Sequence, residues 1–386
     1  MASETKRKRS LKEKIRYTFI DLLRGWAIII MIEVHVFNAF LLPQLKQAGW
    51  FDILTFMNGL VAPAFLFVSG FAFQVSSGSK LEDMRKLKPP FWKKLWRYFS
   101  IIFIGYALHL PYKSLSKIIN KSTSEQLQSF YAVDVLQCIG VGLLVLFALR
   151  LIIRSDKIYH YSLIGLTIFV MVVSPFFWKI EFTNYFHPII ANYFNRLNGS
   201  LFPVFSWINF ILVGAIFAKY FLDAVTKDRE VNFIKGTTFT GIVMLFSGHF
   251  FYSGLFSGYL TSILPNPVFF IERLGYVLVF ATICWGYSRW RKTQKSFVLD
   301  ASRESLLVYW LHLTVIYSMI WGKKSLANII GQNLNVWESI AATLVLMTLM
   351  ILAAKIWGWT KMKFPKYAGK AAWGVVGVLF IIFLLS

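Results

Sequence analysis

Residues 16–43 read RYTFIDLLRGWAIIIMIEVHVFNAFLLP, and this stretch decides the fold. It is longer than the roughly 20 residues that an α-helix needs to cross a bilayer. The basic segment before it, MASETKRKRSLKEKIR, resembles the start of a signal peptide. The apolar stretch is too long for one, however, and it has no clear cleavage site and carries Asp21, Arg24, Glu33 and His35. We therefore interpret it as a retained first transmembrane helix.

Similar apolar runs continue to the end of the chain. The composition is 57% hydrophobic and 15% charged, with a mean hydropathy of +0.58, whereas a soluble domain needs more charge to cover its surface. The pattern predicts an all-α, polytopic transmembrane helix bundle of about 11 helices. Residues 1–16 would form a basic cytoplasmic tail, and residues 17–386 a single transmembrane domain. The predicted spans are 17–42, 55–77, 94–111, 129–149, 159–178, 201–222, 236–257, 268–288, 304–321, 336–354 and 368–385.

Lysine and arginine are distributed unevenly between alternate connections. The chain has 41 basic and 18 acidic residues and a net charge of +23. Of the 41, 31 fall on the side of the N-terminal tail, 8 on the other side, and Arg24 and Arg273 within spans. The positive-inside rule then predicts a cytoplasmic N-terminus and an outside Ser386. The excess of positive charge is therefore explained by membrane topology and by contact with anionic lipid. Nucleic-acid binding is not needed to explain it. We expect a multi-pass protein of a bacterial cytoplasmic membrane.

The first span carries most of its polar residues on one helical face. His35 lies about 16 Å along the helix axis from Arg24 and on nearly the same side. Ionisable groups within membranes usually face a cavity or a partner, so this face predicts a groove joining an anion-binding end to a candidate base. The plainer alternatives are an Asp21–Arg24 ion pair and a packed histidine. The face reads Asp21, Arg24, Ile28, Met31, His35 and Asn38, with Glu33 nearly opposite.

Other spans place polar residues at a similar depth. Asn58, His109 and Asp134 fall in the predicted outer half, where a base oriented by a carboxylate would fit. The alternative for these residues is a structural polar network between helices. His312 lies mid-membrane, on a stripe with Tyr309.

Sequence motifs for several other chemistries are missing. The chain has no HExxH and no closely spaced Cys/His set, so no metal is expected, and it has no Walker, GxGxxG or GxSxG motif. Cys138 and Cys284 fall within predicted spans, which argues against a structural disulfide. The adjacent Glu272 and Arg273 begin a span, and we interpret them as interfacial.

Residues 16–43 resemble the first helix of membrane-bound acyltransferases, in the group named for the heparan-α-glucosaminide N-acetyltransferase catalytic domain. The hallmark is an Asp-x-x-Arg-Gly start followed by a Met and a polar residue, here Asp21, Arg24, Gly25, Met31 and His35. Some members have Asn at the position of His35 and a histidine in the following loop, whereas residues 43–54 contain none. The segments FMNGLVAPAFLFVSGFAF (56–73), FPVFSWINFILVGAIFA (202–218) and SRESLLVYWLHL (302–313) are also similar to that family.

The resemblance implies that an acyl group, commonly acetyl, moves from acyl-CoA to a hydroxyl or amine, often of a sugar beyond the membrane. Arg24, Asp21 and Arg97 would bind the CoA end, because arginine suits phosphate. The pantetheine arm would then pass Ile28 and Met31 and bring the thioester to His35.

Within that scheme His35 would be the general base or the group that carries the acyl chain. Asp134 or Glu33 would orient or charge-balance it. Asn58 would donate a hydrogen bond to the developing oxyanion, and His109 is a further candidate catalytic residue. The expected partners are acyl-CoA, a sugar, glycan or glycolipid acceptor, and membrane lipid. Two alternatives stay open. One is a transporter or flippase of an anionic or glycosylated substrate, whose path the same residues would line. The other is a non-catalytic binding or sensor protein.

Overall fold

The computed structural model describes residues 17–78, 80–253, 262–291, 296–321 and 324–385. The predicted tail 1–16 and Ser386 lie outside these residues. The described chain is helical and contains no β-strand, which confirms the all-α prediction. The helices are α1 (Thr18–Phe40), α2 (Gly49–Asn58), α3 (Val61–Ser77), α4 (Leu81–Arg85), α5 (Pro89–Leu108), α6 (Leu115–Lys121), α7 (Ser124–Tyr131), α8 (Val135–Ile152), α9 (Asp156–Phe177), α10 (Pro188–Ala191), α11 (Val204–Thr226), α12 (Glu230–Ser253), α13 (Pro267–Trp290), α14 (Phe297–Arg303), α15 (Ser305–Tyr317), α16 (Leu326–Ile330), α17 (Val336–Lys363) and α18 (Pro365–Leu385), with 3-10 turns at Pro43–Gln47 and Phe182–Asn184.

Seven helical segments among the described residues are long and apolar enough to cross a membrane. They are Gly49–Ser77, which joins α2 and α3, together with α8, α9, α11, α13, α17 and α18. The chain is therefore a polytopic membrane protein, as predicted. The full number of spans and the side on which each terminus lies stay predictions.

Helix α1 lies at the centre of the bundle. It packs against α3, α13, α14, α15 and α17. Its side chains Leu23, Ile28 and Val36 are completely buried. A helix enclosed by other helices can carry charged groups at membrane depth, because its neighbours supply the partners that lipid cannot.

Helices α3 and α11 cross at very short range. A Cβ added to Gly70 would lie 1.8 Å from the carbonyl oxygen of Ile211, and one added to Gly214 would lie 2.1 Å from that of Phe67. Small residues allow membrane helices to approach this closely. The two glycines thus fix segment 56–73 against segment 202–218.

Helix α11 bends near its beginning. Phe205 and Ser206 leave the helical region, and Ser206 has a φ of +88°. This left-handed region is uncommon for residues other than glycine. Phe202 and Trp207, on either side of the bend, both line the larger cavity of the bundle.

Candidate functional site

A cavity of about 1140 Å³ lies at the C-terminal end of α1. It is lined by His35, Asn58, His109 and Asp134, the four residues predicted to be catalytic. His35 lies in α1 and Asn58 is the last residue of α2. His109 is the C-cap of α5, and Asp134 is the N-cap of α8. We call this space the His35 cavity. The fold brings the four predicted side chains together, while their roles stay predictions.

The Asp134 carboxylate contacts three polar groups at the edge of this cavity. As the N-cap of α8, its Oδ1 accepts the backbone N–H of Val135 at 2.7 Å. Its Oδ2 accepts the Tyr309 hydroxyl at 3.0 Å and lies 3.4 Å from Nε2 of His109. The carboxylate therefore connects α8, α15 and the end of α5, and it orients His109.

His35 has a hydrogen-bond partner that the sequence does not indicate. It is half-buried, and its Nδ1 lies 3.3 Å from the hydroxyl of Tyr317. In the described part of the chain its hydrogen-bond partner is therefore Tyr317, rather than Asp134 or Glu33. Asp134 is already engaged by His109 and acts on His35 only electrostatically, through space. The ring centroid of His312 lies 5.2 Å from that of His35.

Glu33 points away from His35, as its position on the helix predicts. Its carboxylate lies beside the side chain of Asn58. Glu33 Oε1 and Asn58 Oδ1 are buried and have no hydrogen-bond partner among the described residues. Asn58 is thus shared between a membrane-embedded carboxylate and the His35 cavity.

Arg273 is a cavity residue whose position the sequence did not reveal. The sequence predicts an interfacial position for Arg273 and Glu272, and protein encloses both, with relative exposures of 8% and 4%. The Arg273 guanidinium donates to the backbone oxygen of Phe56 and lies 4.2 Å from the centroid of the Phe56 ring. Gly59 makes room for it, since a Cβ there would be 2.9 Å from an arginine nitrogen. Two adjacent charged residues at the end of a span have the same sequence pattern whether they lie at the membrane interface or on a cavity wall.

A second cavity, of about 270 Å³, lies toward the N-terminal end of α1. Arg24 and Arg97 both line it, as do Ser69, Ser76, Ser100 and Ser305. We call it the Arg24 cavity. Phe65, Val135 and Tyr309 line both cavities and form the boundary between them. The two spaces are therefore neighbours, and one aromatic hydroxyl group stands at their junction.

Arg24 forms the ion pair that was considered as the plainer interpretation. One terminal nitrogen of its guanidinium donates to Asp21 at 2.8 Å, and its Nε donates to Ser302 at 3.0 Å. The approach of Ser302 depends on Gly25, where a Cβ would lie 2.2 Å from the backbone oxygen of Val298. The side chain of Arg24 keeps 26% of its surface exposed and borders the cavity as well.

The path between the two ends of α1 differs from the predicted groove. Ile28 is completely buried and lines neither cavity, although Met31 lines the His35 cavity. The two cavities meet instead at a boundary formed by Phe65, Val135 and Tyr309.

Metal-ligating and cysteine side chains are dispersed in this structure. Within the described ranges no three His, Cys, Asp or Glu side chains cluster as a metal site would require. Cys138 and Cys284 are buried and unpaired.

Comparison with known proteins identifies one matching family. A family model described as heparan-alpha-glucosaminide N-acetyltransferase, catalytic, matches residues 16–252, which is more than half of the chain. The matched range includes α1 and the segments that carry Asn58, His109 and Asp134, but not α15. No curated protein matches the chain.

Proposed function

Because the chain belongs to the heparan-α-glucosaminide N-acetyltransferase catalytic family, a family of membrane acyltransferases, we propose that it transfers an acyl group, commonly acetyl, from cytoplasmic acyl-CoA. The acceptor would be a hydroxyl or amine of a sugar or glycan on the other side of the membrane. One observation carries this proposal beyond the family. The four predicted catalytic residues line one cavity, and that cavity adjoins a second one lined by the two arginines predicted for CoA.

The Arg24 cavity is the proposed donor end. A guanidinium binds phosphate oxygens with paired hydrogen bonds, and this geometry suits the phosphates of CoA. Arg97 is exposed and Arg24 is partly exposed, so both can be reached from the predicted cytoplasmic side. Asp21 would contribute by holding the Arg24 guanidinium at the cavity wall. These residues fit the phosphate end of the donor.

The boundary is the proposed route of the pantetheine arm. Phe65 and Val135 supply apolar walls and Tyr309 a single hydroxyl, which match an arm that alternates methylene and amide groups. At about 16 Å, the axial distance from Arg24 to His35 is comparable to that arm when extended. The boundary side chains would have to part for the thioester to enter the His35 cavity.

The His35 cavity is the proposed acceptor end. His35 takes the proton of the acceptor as the acceptor atom attacks the thioester carbonyl. The amide N–H of Asn58 donates to the negative charge that develops on the carbonyl oxygen. The carbon–sulfur bond then breaks, and the thiolate of CoA recovers the proton from His35. Asp134 holds His109 and Tyr309 in place around the reacting groups.

The test uses the purified protein in lipid nanodiscs without any ion gradient. Acetyl-CoA labelled in the acetyl group is supplied with a mixture of glycan acceptors, and both free CoA thiol and labelled glycan are measured. We expect thiol release that depends on acceptor and exceeds the rate of His35→Ala protein at equal concentration. Absence of acetyl-CoA binding and turnover in the wild-type protein, with uptake of a glycolipid or anion in liposomes, would establish the transporter instead.

A further inference from the structure

His312 is a completely buried imidazole at the centre of the bundle. Its Nδ1 lies 2.7 Å from the backbone oxygen of Val308, one turn earlier in α15. A carbonyl oxygen can only accept, so Nδ1 must carry the hydrogen. In a neutral imidazole the other nitrogen then offers a lone pair. The backbone of α15 thus fixes the tautomer of His312.

Nε2 of His312 is the unusual atom. It is shielded from solvent and has no hydrogen-bond partner in the part of the chain that the structure describes. Buried polar atoms in folded proteins are nearly always paired, and each exception requires an explanation. Simple packing would be served equally well by an apolar side chain of similar size. The nitrogens of His160 are also buried and unpaired among the described residues, but His160 lines neither cavity, whereas His312 lies beside the candidate base His35.

His35 is the neighbour that can supply this donor. The two imidazole centroids are 5.2 Å apart, and the planes are tilted by 51°. At this separation ring nitrogens can share a hydrogen directly or through one water. The ring centroid of Tyr309 lies 5.7 Å from that of His312.

We propose that His312 is a positioning residue that stabilises the protonated form of His35 during acyl transfer. This inference rests on the proposed function. When the acceptor attacks, its proton moves to a bare ring nitrogen of His35 as the new bond to the acyl carbon forms. The resulting imidazolium has two N–H groups: the new one stays directed at the departing thiolate, and the other donates toward the lone pair of His312 Nε2. The proton then passes from His35 to the departing thiolate, and both histidines return to their neutral state.

The pH dependence of this step reflects every ionisable group around His35. Asp134 and Arg273, which carry opposite charges, both line the His35 cavity. His312 contributes only through its lone pair, since its backbone hydrogen bond leaves Nδ1 protonated. The ionisable groups around the site are Glu33 on α1, Asp134, His109, Tyr112, Lys113, Lys117 and Arg196 on the cavity wall, Tyr309, His312 and Tyr317 on α15, and Arg273 on α13.

The experiment compares His312→Phe with His312→Gln in the acetyl-transfer assay, as a function of pH. The Phe variant loses the lone pair, so His35 holds a proton less readily. We expect kcat to fall by about tenfold or more with the KM for acetyl-CoA within about twofold, because only the transition state is affected. The rising limb of kcat/KM should move to lower pH. The amide oxygen of Gln accepts a hydrogen bond, so this variant should recover most of the rate and the wild-type midpoint.

The control is His160→Phe, which replaces a histidine of α9 that lies beside Tyr220 and lines neither cavity. It should leave both rate and pH midpoint unchanged. In a His35→Ala background His312→Phe should have no further effect on rate. If His312→Phe does not accumulate in the membrane, His312→Leu replaces it with the same expectations.

A purely structural role would lower the amount of active protein without moving the pH midpoint. An unshifted midpoint in the Phe variant, or a full further loss of rate when His312→Phe is added to His35→Ala, would overturn the role of His312. Wild-type protein that neither binds nor turns over acetyl-CoA would overturn the acyltransferase proposal itself. The two failures are therefore distinguishable.

Discussion

Tyr309→Phe tests the connection between the two cavities. Tyr309 lines both of them, and its hydroxyl donates to Oδ2 of Asp134 at 3.0 Å. Phenylalanine keeps the ring that fills the boundary and removes only the hydroxyl. The substitution therefore isolates one hydrogen bond to a charged acceptor, without opening a space between the cavities.

The expected magnitude follows from the surroundings of Asp134. A hydrogen bond to a charged group contributes about 1.5–3 kcal/mol. The Asp134 side chain is 16% exposed and keeps its contacts with His109 and the Val135 amide, so we expect the lower end of that range. Since about 1.4 kcal/mol corresponds to a factor of ten, acyl transfer should fall about tenfold if the fixed position of Asp134 matters in the transition state.

The matched control is Tyr106→Phe. The hydroxyl of Tyr106 donates to that of Tyr193, also at 3.0 Å, but both partners are neutral and neither lines a cavity. This bond should contribute only about 0.5–1.5 kcal/mol to stability and nothing to transfer. Denaturant unfolding in detergent, followed by tryptophan fluorescence, gives the stabilities, and labelled acetyl transfer gives the rates. If Tyr309→Phe loses no more stability than the control and transfers at the wild-type rate, Tyr309 does not hold Asp134 for catalysis.

Three further predictions follow from the site and the fold. His35→Ala should keep acetyl-CoA binding but lower transfer by about 100-fold or more, as removal of a general base does; full activity in His35→Asn would instead leave His35 an orienting group. Arg24→Ala should weaken acetyl-CoA binding by about tenfold to a hundredfold, and Arg24→Lys should recover part of it in an equilibrium binding assay. If Arg24→Ala binds acetyl-CoA with unchanged affinity but unfolds more easily, the role of Arg24 is the structural ion pair with Asp21. Gly70→Ala should cost about 1–3 kcal/mol or more in unfolding free energy, because the new Cβ meets the backbone of α11. Gly165→Ala, where no described heavy atom lies within 4 Å of the new Cβ, should cost nothing, and equal losses would contradict the close crossing.

The sequence predicts the helices and the depth of the polar residues because both depend on local geometry. Apolar length marks a span, and the rise per residue of an α-helix is fixed. Counting along each span placed His35, Asn58, His109 and Asp134 at one level, and the structure has all four on one cavity wall. The Asp21–Arg24 ion pair was predictable for the same reason, since residues three apart on a helix are neighbours.

The pairing of these residues could not be predicted, because it depends on how each helix is rotated against its neighbours. Asp134 contacts His109 and Tyr309, whereas His35 contacts Tyr317. Arg273 enters the cavity wall because Gly59 leaves space for its guanidinium, and a single sequence cannot reveal that complementarity.

Helix α15 links the donor and acceptor ends of the proposed site. It has 13 residues, which is short for a membrane span, yet it supplies both Tyr309 at the boundary and His312 behind His35. Residues three apart share one face of a helix, so these two side chains belong to the same rigid turn. A movement that withdraws Tyr309 to admit the thioester would therefore also change the distance between His312 and His35. We therefore expect donor entry and stabilisation of the protonated base to be coupled through this turn, and variants at either residue to act on the same catalytic step.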